Sequence, residues 1–231
     1  DDAFNAQMSY RDFLIKEKRS EIFYLNEKSL NSAQELLESV IAILKNNSRY
    51  KIYPDRIQRP DKKIIFLKED NPIIIAGRLI QEDLLILHWD NNFQEHILEG
   101  GILCFPALWT LNEKINKPLS RIHKPVEQYN EKITKSVQRM FNNLKVDKPI
   151  WRANWYLYKD PELFSPLSEK FSHTTEKKYF EGDFWLRVER QTLKRLPETN
   201  AIVFGIHTYV VNKKQLTLKQ ITSLKNYSLN K

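Results

Sequence analysis

The residues of this chain with the greatest chemical capacity lie between Cys104 and Arg195. They comprise one thiol, Cys104, a loop imidazole, His123, and the charged run Trp185-Leu186-Arg187-Val188-Glu189-Arg190-Gln191-Thr192-Leu193-Lys194-Arg195-Leu196-Pro197. Written as a strand, the run puts Leu186, Val188, Arg190 and Thr192 on one face and Arg187, Glu189, Gln191 and Leu193 on the other. Each face then sets a charge among apolar groups. One reading is a surface strand with cross-strand ion pairs, which are worth little. The other is enclosure: the next stretch, Ala201-Ile202-Val203-Phe204-Gly205-Ile206, is apolar on both faces and so belongs at the centre of a sheet, which draws its polar neighbour inward. Buried Arg and Glu are costly unless paired or liganded.

His123 lies in Leu119-Ser120-Arg121-Ile122-His123-Lys124-Pro125-Val126. A lone histidine is commonly a hydrogen-bonded structural residue, whereas a loop position before a rigidifying Pro125 favours a side chain that points into a pocket. His207 reads as a satisfied core histidine, and His88, His96 and His173 have no recognisable company. Cys104, in Ile102-Leu103-Cys104-Phe105-Pro106, reads as a buried small hydrophobe; ligation of a haem iron by its thiolate is the sharper alternative and needs donors or positive charge near the sulfur. The segment Trp151-Arg152-Ala153-Asn154-Trp155-Tyr156 either lines a flat apolar pocket or is plain core.

These groups need a frame. Ser32-Ala33-Gln34-Glu35 has the form of a capping box, and Ala33, Leu36, Leu37, Val40, Ile43 and Leu44 follow at helical spacing, which predicts a helix over 33–46. An earlier helix is expected over about 9–18. Lys63–Leu67, Ile73–Ile80 and Leu84–Trp89 are rich in β-formers and separated by turn residues, which predicts an antiparallel meander. A fourth strand is expected at Ile102–Phe105 and a short helix from Thr110-Leu111-Asn112-Glu113. Tyr129, Ile133, Val137, Met140, Phe141 and Leu144 mark a helix over roughly 126–144. Strands follow at Trp151–Tyr158, Phe184–Thr192 and Ala201–Val211, then a helix from Thr217-x-x-Gln220 to about Tyr227. The expected class is α+β, a largely antiparallel sheet flanked by helices, in a single domain over 1–231.

Composition excludes several function classes. With 231 residues, 41% of them hydrophobic and 29% charged, the chain can bury a core. No apolar run approaches the roughly 20 residues that cross a bilayer. No secretory leader pattern occupies residues 1–30, and one cysteine excludes an internal disulfide framework and a Cys-rich metal site; the expected compartment is the reducing cytoplasm. The net charge of +8 invites nucleic acid, but Lys and Arg are interspersed with Asp and Glu, so a solvated surface suited to an acidic redox partner is the better reading. Five glycines and no phosphate loop leave no nucleotide cradle, so electrons for any redox step come from another protein.

Gly101-Ile102-Leu103-Cys104-Phe105-Pro106-Ala107-Leu108-Trp109, Ile122-His123-Lys124-Pro125-Val126, Arg152-Ala153-Asn154-Trp155 and the run from Arg187 to Pro197, in that order, resemble the haem-dependent oxidative N-demethylase α-subunit-like family. The resemblance extends from about Tyr10 to Val211. It implies a PAS-like haem-binding core and a haem b oxygenase subunit that uses O2 to remove a methyl group from a small secondary amine, releasing formaldehyde. Electrons come in that family from separate flavin reductase and iron–sulfur ferredoxin subunits. It further implies His123 as the axial ligand to the haem iron, with Cys104 as the alternative. Arg187, Arg190 and Arg195 become partners for haem propionates, because a guanidinium fork fits a carboxylate. Asn154 and Trp155 fall among the cofactor-binding residues. Glu189 becomes the catalytic group that orients a substrate ammonium or relays a proton. The alternative is a PAS-like sensor domain without turnover that answers to haem, a gas or an amine. The family pattern often has a second proline after Pro-Val, where this chain has Glu127, and the start at Asp1-Asp2 and the end soon after the last helix suggest that pocket-closing segments are missing.

Overall fold

β-branched and aromatic residues concentrate in 150–212, and strands of that stretch pair with those of the Leu- and Ile-bearing stretch 83–102 in one antiparallel sheet. The computed structural model describes residues 2–124, 130–170 and 182–229. Helices α1 (Phe4–Glu17) and α2 (Arg19–Ile22), strand β1 (Phe23–Leu25) and helix α3 (Leu30–Leu44) come first. A small three-stranded sheet, β2 (Lys51–Ile52), β3 (Arg56–Gln58) and β4 (Ile64–Phe66), precedes α4 (Pro72–Leu79). Next come β5 (Asp83–Asp90), β6 (Glu95–Ile102), α5 (Leu111–Lys114), α6 (Leu119–Ile122) and α7 (Glu131–Asn143). The chain continues through β7 (Ile150–Tyr158), β8 (Trp185–Arg195), β9 (Ile202–Asn212) and α8 (Leu218–Leu229). The α+β class expected from the sequence is the one that forms.

The large sheet has the order β1-β6-β5-β9-β8-β7, with every neighbouring pair antiparallel. Without the short β1, its five strands run 2-1-5-4-3 in chain order. β9 lies in the middle, where its two-sided apolarity requires it to be. Leu84, Ile86, Ile102 and Val203 point to one side and pack with residues of α1, α3 and α4 into a first core. Leu85, Leu87, Leu98, Ile202 and Ile206 point to the other and pack with residues of α5, α6 and α7 into a second. A sheet between two helical layers results. At Gly101, opposite Leu85, a Cβ would run into the Leu85 side chain and lie 3.1 Å from the Leu84 carbonyl oxygen.

Four local expectations need correction. Ile73–Ile80 is helical, not extended: Asn71 accepts a hydrogen bond from the Ile73 amide at 3.2 Å, Pro72 occupies the first turn, and Ile73, Ile74, Ile75, Ala76 and Leu79 are all buried. Start signals and burial on every side outweigh β-branched propensity here. The meander over 63–89 therefore does not form, since β4 belongs to the small sheet. Ser32 and Glu35 do not cap α3, which begins at Leu30. Ser32 Oγ instead lies 2.8 Å from His88 Nε2, and the Glu35 carboxylate accepts from the Glu198 and Thr199 amides at 2.8 and 2.9 Å. The fourth strand covers 95–102 rather than 102–105, because the Cys104 and Phe105 amides turn to the Asp83 carboxylate at 2.7 and 2.9 Å. The helix expected from 126 is described from Glu131, where Asn130 accepts from the Ile133 amide. Pro125, Val126, Glu127, Tyr129 and His173 lie outside the described residues. Among the described residues no helix is long and apolar enough to cross a membrane.

Candidate functional site

The register of β7, β8 and β9 sorts the chemically capable residues by face. Gln191 pairs with Arg152 and Ile206, Glu189 with Asn154 and Thr208, and Arg187 with Tyr156 and Val210. Directly opposed residues share a face, so Arg152, Asn154, Tyr156, Arg187, Glu189, Gln191 and Thr208 stand on the side that carries the second core. The alternation read from the sequence is correct. What places the row deep is the neighbour: β8 is sandwiched between β7 and β9, and β7 is the edge on that side.

Arg187 and Glu189 are 1% and 5% exposed. Arg187 donates to the Phe105 carbonyl at 2.5 Å, to the Leu163 carbonyl at 3.1 Å and to Glu189 Oε1 at 3.3 Å, and its guanidinium lies over the Tyr158 ring. Gln191 donates to Glu189 Oε2 at 3.1 Å and accepts from Arg152 Nε at 2.9 Å. Burial raises the Glu189 pKa, and the opposing pull of Arg187 does not cancel it. Tyr158 is pushed up to about 12, again chiefly by burial. Two buried oxygens beside this row, Tyr158 Oη and Thr208 Oγ1, have no hydrogen-bond partner among the described residues.

His123 ends α6, and its Nδ1 donates to the Leu119 carbonyl at 2.9 Å. A carbonyl only accepts, so Nδ1 carries the proton and the lone pair is on Nε2. Burial lowers its pKa, with Lys114 and Arg152 acting in the same direction. Leu119 and Ile122, at either end of α6, pack into the second core, which puts His123 at the end of a helix on the same side of the sheet as Glu189.

The other expected site residues are elsewhere. Arg190 faces the opposite side, half exposed, and donates to Glu82 Oε1 at 3.1 Å, the oxygen that lies 3.3 Å from His207 Nδ1. Trp155 is opposite Val188 and shares the face of Arg190, away from Glu189. Arg195 is at the far end of β8, where it donates to the Leu144, Asn200 and Phe141 carbonyls at 2.8, 3.0 and 2.7 Å. Cys104 is buried in the first core, and that burial pushes its thiol up to about 12 against the pull of Arg11. Asn154 does belong to the row, and donates to the Tyr156 hydroxyl at 2.7 Å. An open cleft of about 530 Å³ between β6 and α7 is lined by Phe93, Glu95, Gln138 and Arg139, none of them in this set. No group of three or more His, Cys, Asp or Glu that could hold a bare metal ion occurs among the described residues.

The family model for haem-dependent oxidative N-demethylase, alpha subunit-like proteins matches residues 1–225. The chain belongs to this family. Three residues of this row carry no assigned role in the sequence reading: Arg152, Tyr158 and Thr208. Arg152 was legible as a motif member. Thr208 was not, because its importance comes only from being opposite Glu189 with a buried, unbonded hydroxyl.

Proposed function

We propose that this family member is a haem b oxygenase subunit for oxidative N-demethylation of a small secondary amine, fed by separate flavin and iron–sulfur proteins. The observation that carries the reading is the enclosed row of Arg187, Glu189 and Gln191, on a face where two buried hydroxyls lack partners. Buried polar groups are normally satisfied, and these two fit a face that receives something polar. The strand order 2-1-5-4-3 supports a PAS-like core.

His123 would hold the iron through Nε2, its ring set by the Leu119 carbonyl in the way metal-bound imidazoles are oriented by a second hydrogen bond. Arg152 is the cation suited to a propionate: it is exposed, and of its nitrogens Nε bonds Gln191. Haem bound there supplies oxygen activation, to a degree set by its axial ligand. Arg187 and Gln191 hold the Glu189 carboxyl in place with one donor to each oxygen. Because burial favours its neutral form, Glu189 can hold a proton within the face and release it to an acceptor within hydrogen-bond reach.

Absorption spectroscopy after haem reconstitution tests this. A Soret band is expected, shifted or lost in His123→Ala and retained in Cys104→Ala. Absence of the band in the wild-type chain refutes the cofactor, and an unshifted band in His123→Ala refutes the ligand. With a ferredoxin and flavin reductase, oxygen uptake should depend on added dimethylamine.

A further inference from the structure

Thr208 stands directly opposite Glu189 in the β8–β9 ladder, so both side chains rise from the same face. It is 1% exposed, and its hydroxyl has no partner among the described residues. Leaving such a group bare is costly, whereas a methyl of the same shape there costs nothing in hydrogen bonds. Glu189 accepts one hydrogen bond on each oxygen, from Arg187 and from Gln191, and each carboxylate oxygen has capacity for a second. Tyr156 stands opposite Arg187, the next residue on the Glu189 face of β8, and the Arg187 guanidinium lies over the Tyr158 ring. A carboxyl with spare acceptor capacity and an unbonded hydroxyl side by side suit a small cation that carries two N–H donors.

We propose that Glu189 and Thr208 Oγ1 each receive one N–H of a secondary ammonium, which makes Thr208 the residue that separates secondary from tertiary amines. A tertiary ammonium has a single N–H and leaves one of the two acceptors unbonded. Sites built to bond an N–H reject analogues that lack it. This inference rests on the amine-oxidising reading above and adds to it the group that counts N–H donors.

Calorimetric titration of the haem-reconstituted full chain with dimethylammonium and trimethylammonium chloride tests it. Wild type should bind dimethylammonium about 10-fold or more tightly over trimethylammonium, the ratio expected for one hydrogen bond to a charged donor. Thr208→Val should bring that ratio to about twofold or less, with a melting temperature equal to or above wild type, since an unsatisfied hydroxyl has gone. Thr208→Ser should restore the preference, which controls for a Val variant that folds poorly. Equal affinity of wild type for the two amines, or an undiminished preference in Thr208→Val, overturns the assignment. An intact Soret band with no binding of either amine also overturns it while leaving the cofactor reading in place; amine discrimination without a Soret band supports it and sinks the cofactor reading alone.

Discussion

Replacing Arg187 by Met isolates the interaction on which the polar row depends. Met matches the length of the side chain but removes three hydrogen bonds, to the Phe105 and Leu163 carbonyls and to Glu189. Arg187 is 1% exposed and Glu189 5%, so water cannot take over, and the carboxylate is left buried without its cation. Breaking a buried pair in this way costs about 3–5 kcal/mol. For a chain of this length that corresponds to a fall in melting temperature of roughly 6–20 °C. The loss should also depend on pH. Burial already raises the Glu189 pKa against the pull of Arg187, and removing that pull raises it further. A carboxyl raised above its unfolded value of about 4.3 contributes stability that is present below that value and lost as pH rises through the folded value. The variant should therefore be closer to wild type at pH 5 than at pH 7.5. Adding Glu189→Gln should recover part of the loss, with a coupling of about 0.5–3 kcal/mol between the two sites. Thermal unfolding by circular dichroism at the two pH values measures all of this. A deficit under about 1 kcal/mol, or one equal at both pH values, would show that the pair is not enclosed as described.

Three further outcomes follow from other parts of the frame. Glu35→Ala removes the acceptor for the Glu198 and Thr199 amides and the Thr199 hydroxyl and should cost about 1.5–3 kcal/mol in denaturant unfolding; because its neighbours hold the Glu35 pKa down, the contribution is present above the unfolded value and lost as pH falls through the folded one. Glu99, held by His88, Lys28 and Ser29, has its pKa lowered to about 2, so wild type should lose about 1–3 kcal/mol between pH 5 and pH 2 that Glu99→Gln does not lose over the same range. Gly101→Ala forces a Cβ into the Leu85 side chain and against the Leu84 carbonyl and should destabilise by about 1–3 kcal/mol, read as a lowered urea midpoint with an unchanged slope.

Period-2 alternation in 185–195 was sufficient to place Glu189 and Arg187 on one face and Arg190 on the other, because strand geometry leaves a side chain no third choice. The central position of 202–212 was legible for a similar reason. In Ile73–Ile80 the β-branched content points to a strand, whereas the Asn71-Pro72 start signal and burial on nearly every side belong to a helix with little amphipathic pattern. The Ser32–Glu35 box misled because a local capping pattern competes with partners distant in sequence, here His88 and the 198–199 turn. Thr208 was invisible for a deeper reason. Its significance is an unmet hydrogen bond, which is a property of the surrounding space and not of the neighbouring letters.

The arginines of the 187–195 run are alike in sequence and unlike in place, and strand arithmetic decides what they can do together. Arg190 is on the other face, bound to Glu82. Arg187 and Arg195 share a face but are eight residues apart, about 26 Å along β8 at the usual rise. Their guanidinium groups bond separate backbone carbonyls and no common partner among the described residues. Each instead fastens β8 to a different neighbour: Arg187 to the carbonyls of Phe105 and Leu163, Arg195 to those at the end of α7. The run is then a brace, fixed near both ends, with Glu189 held between the tethers and opposite Thr208. A carboxyl pinned this way keeps its position when the face takes up a ligand, which is the property a proton donor or an ammonium acceptor needs and a surface glutamate lacks.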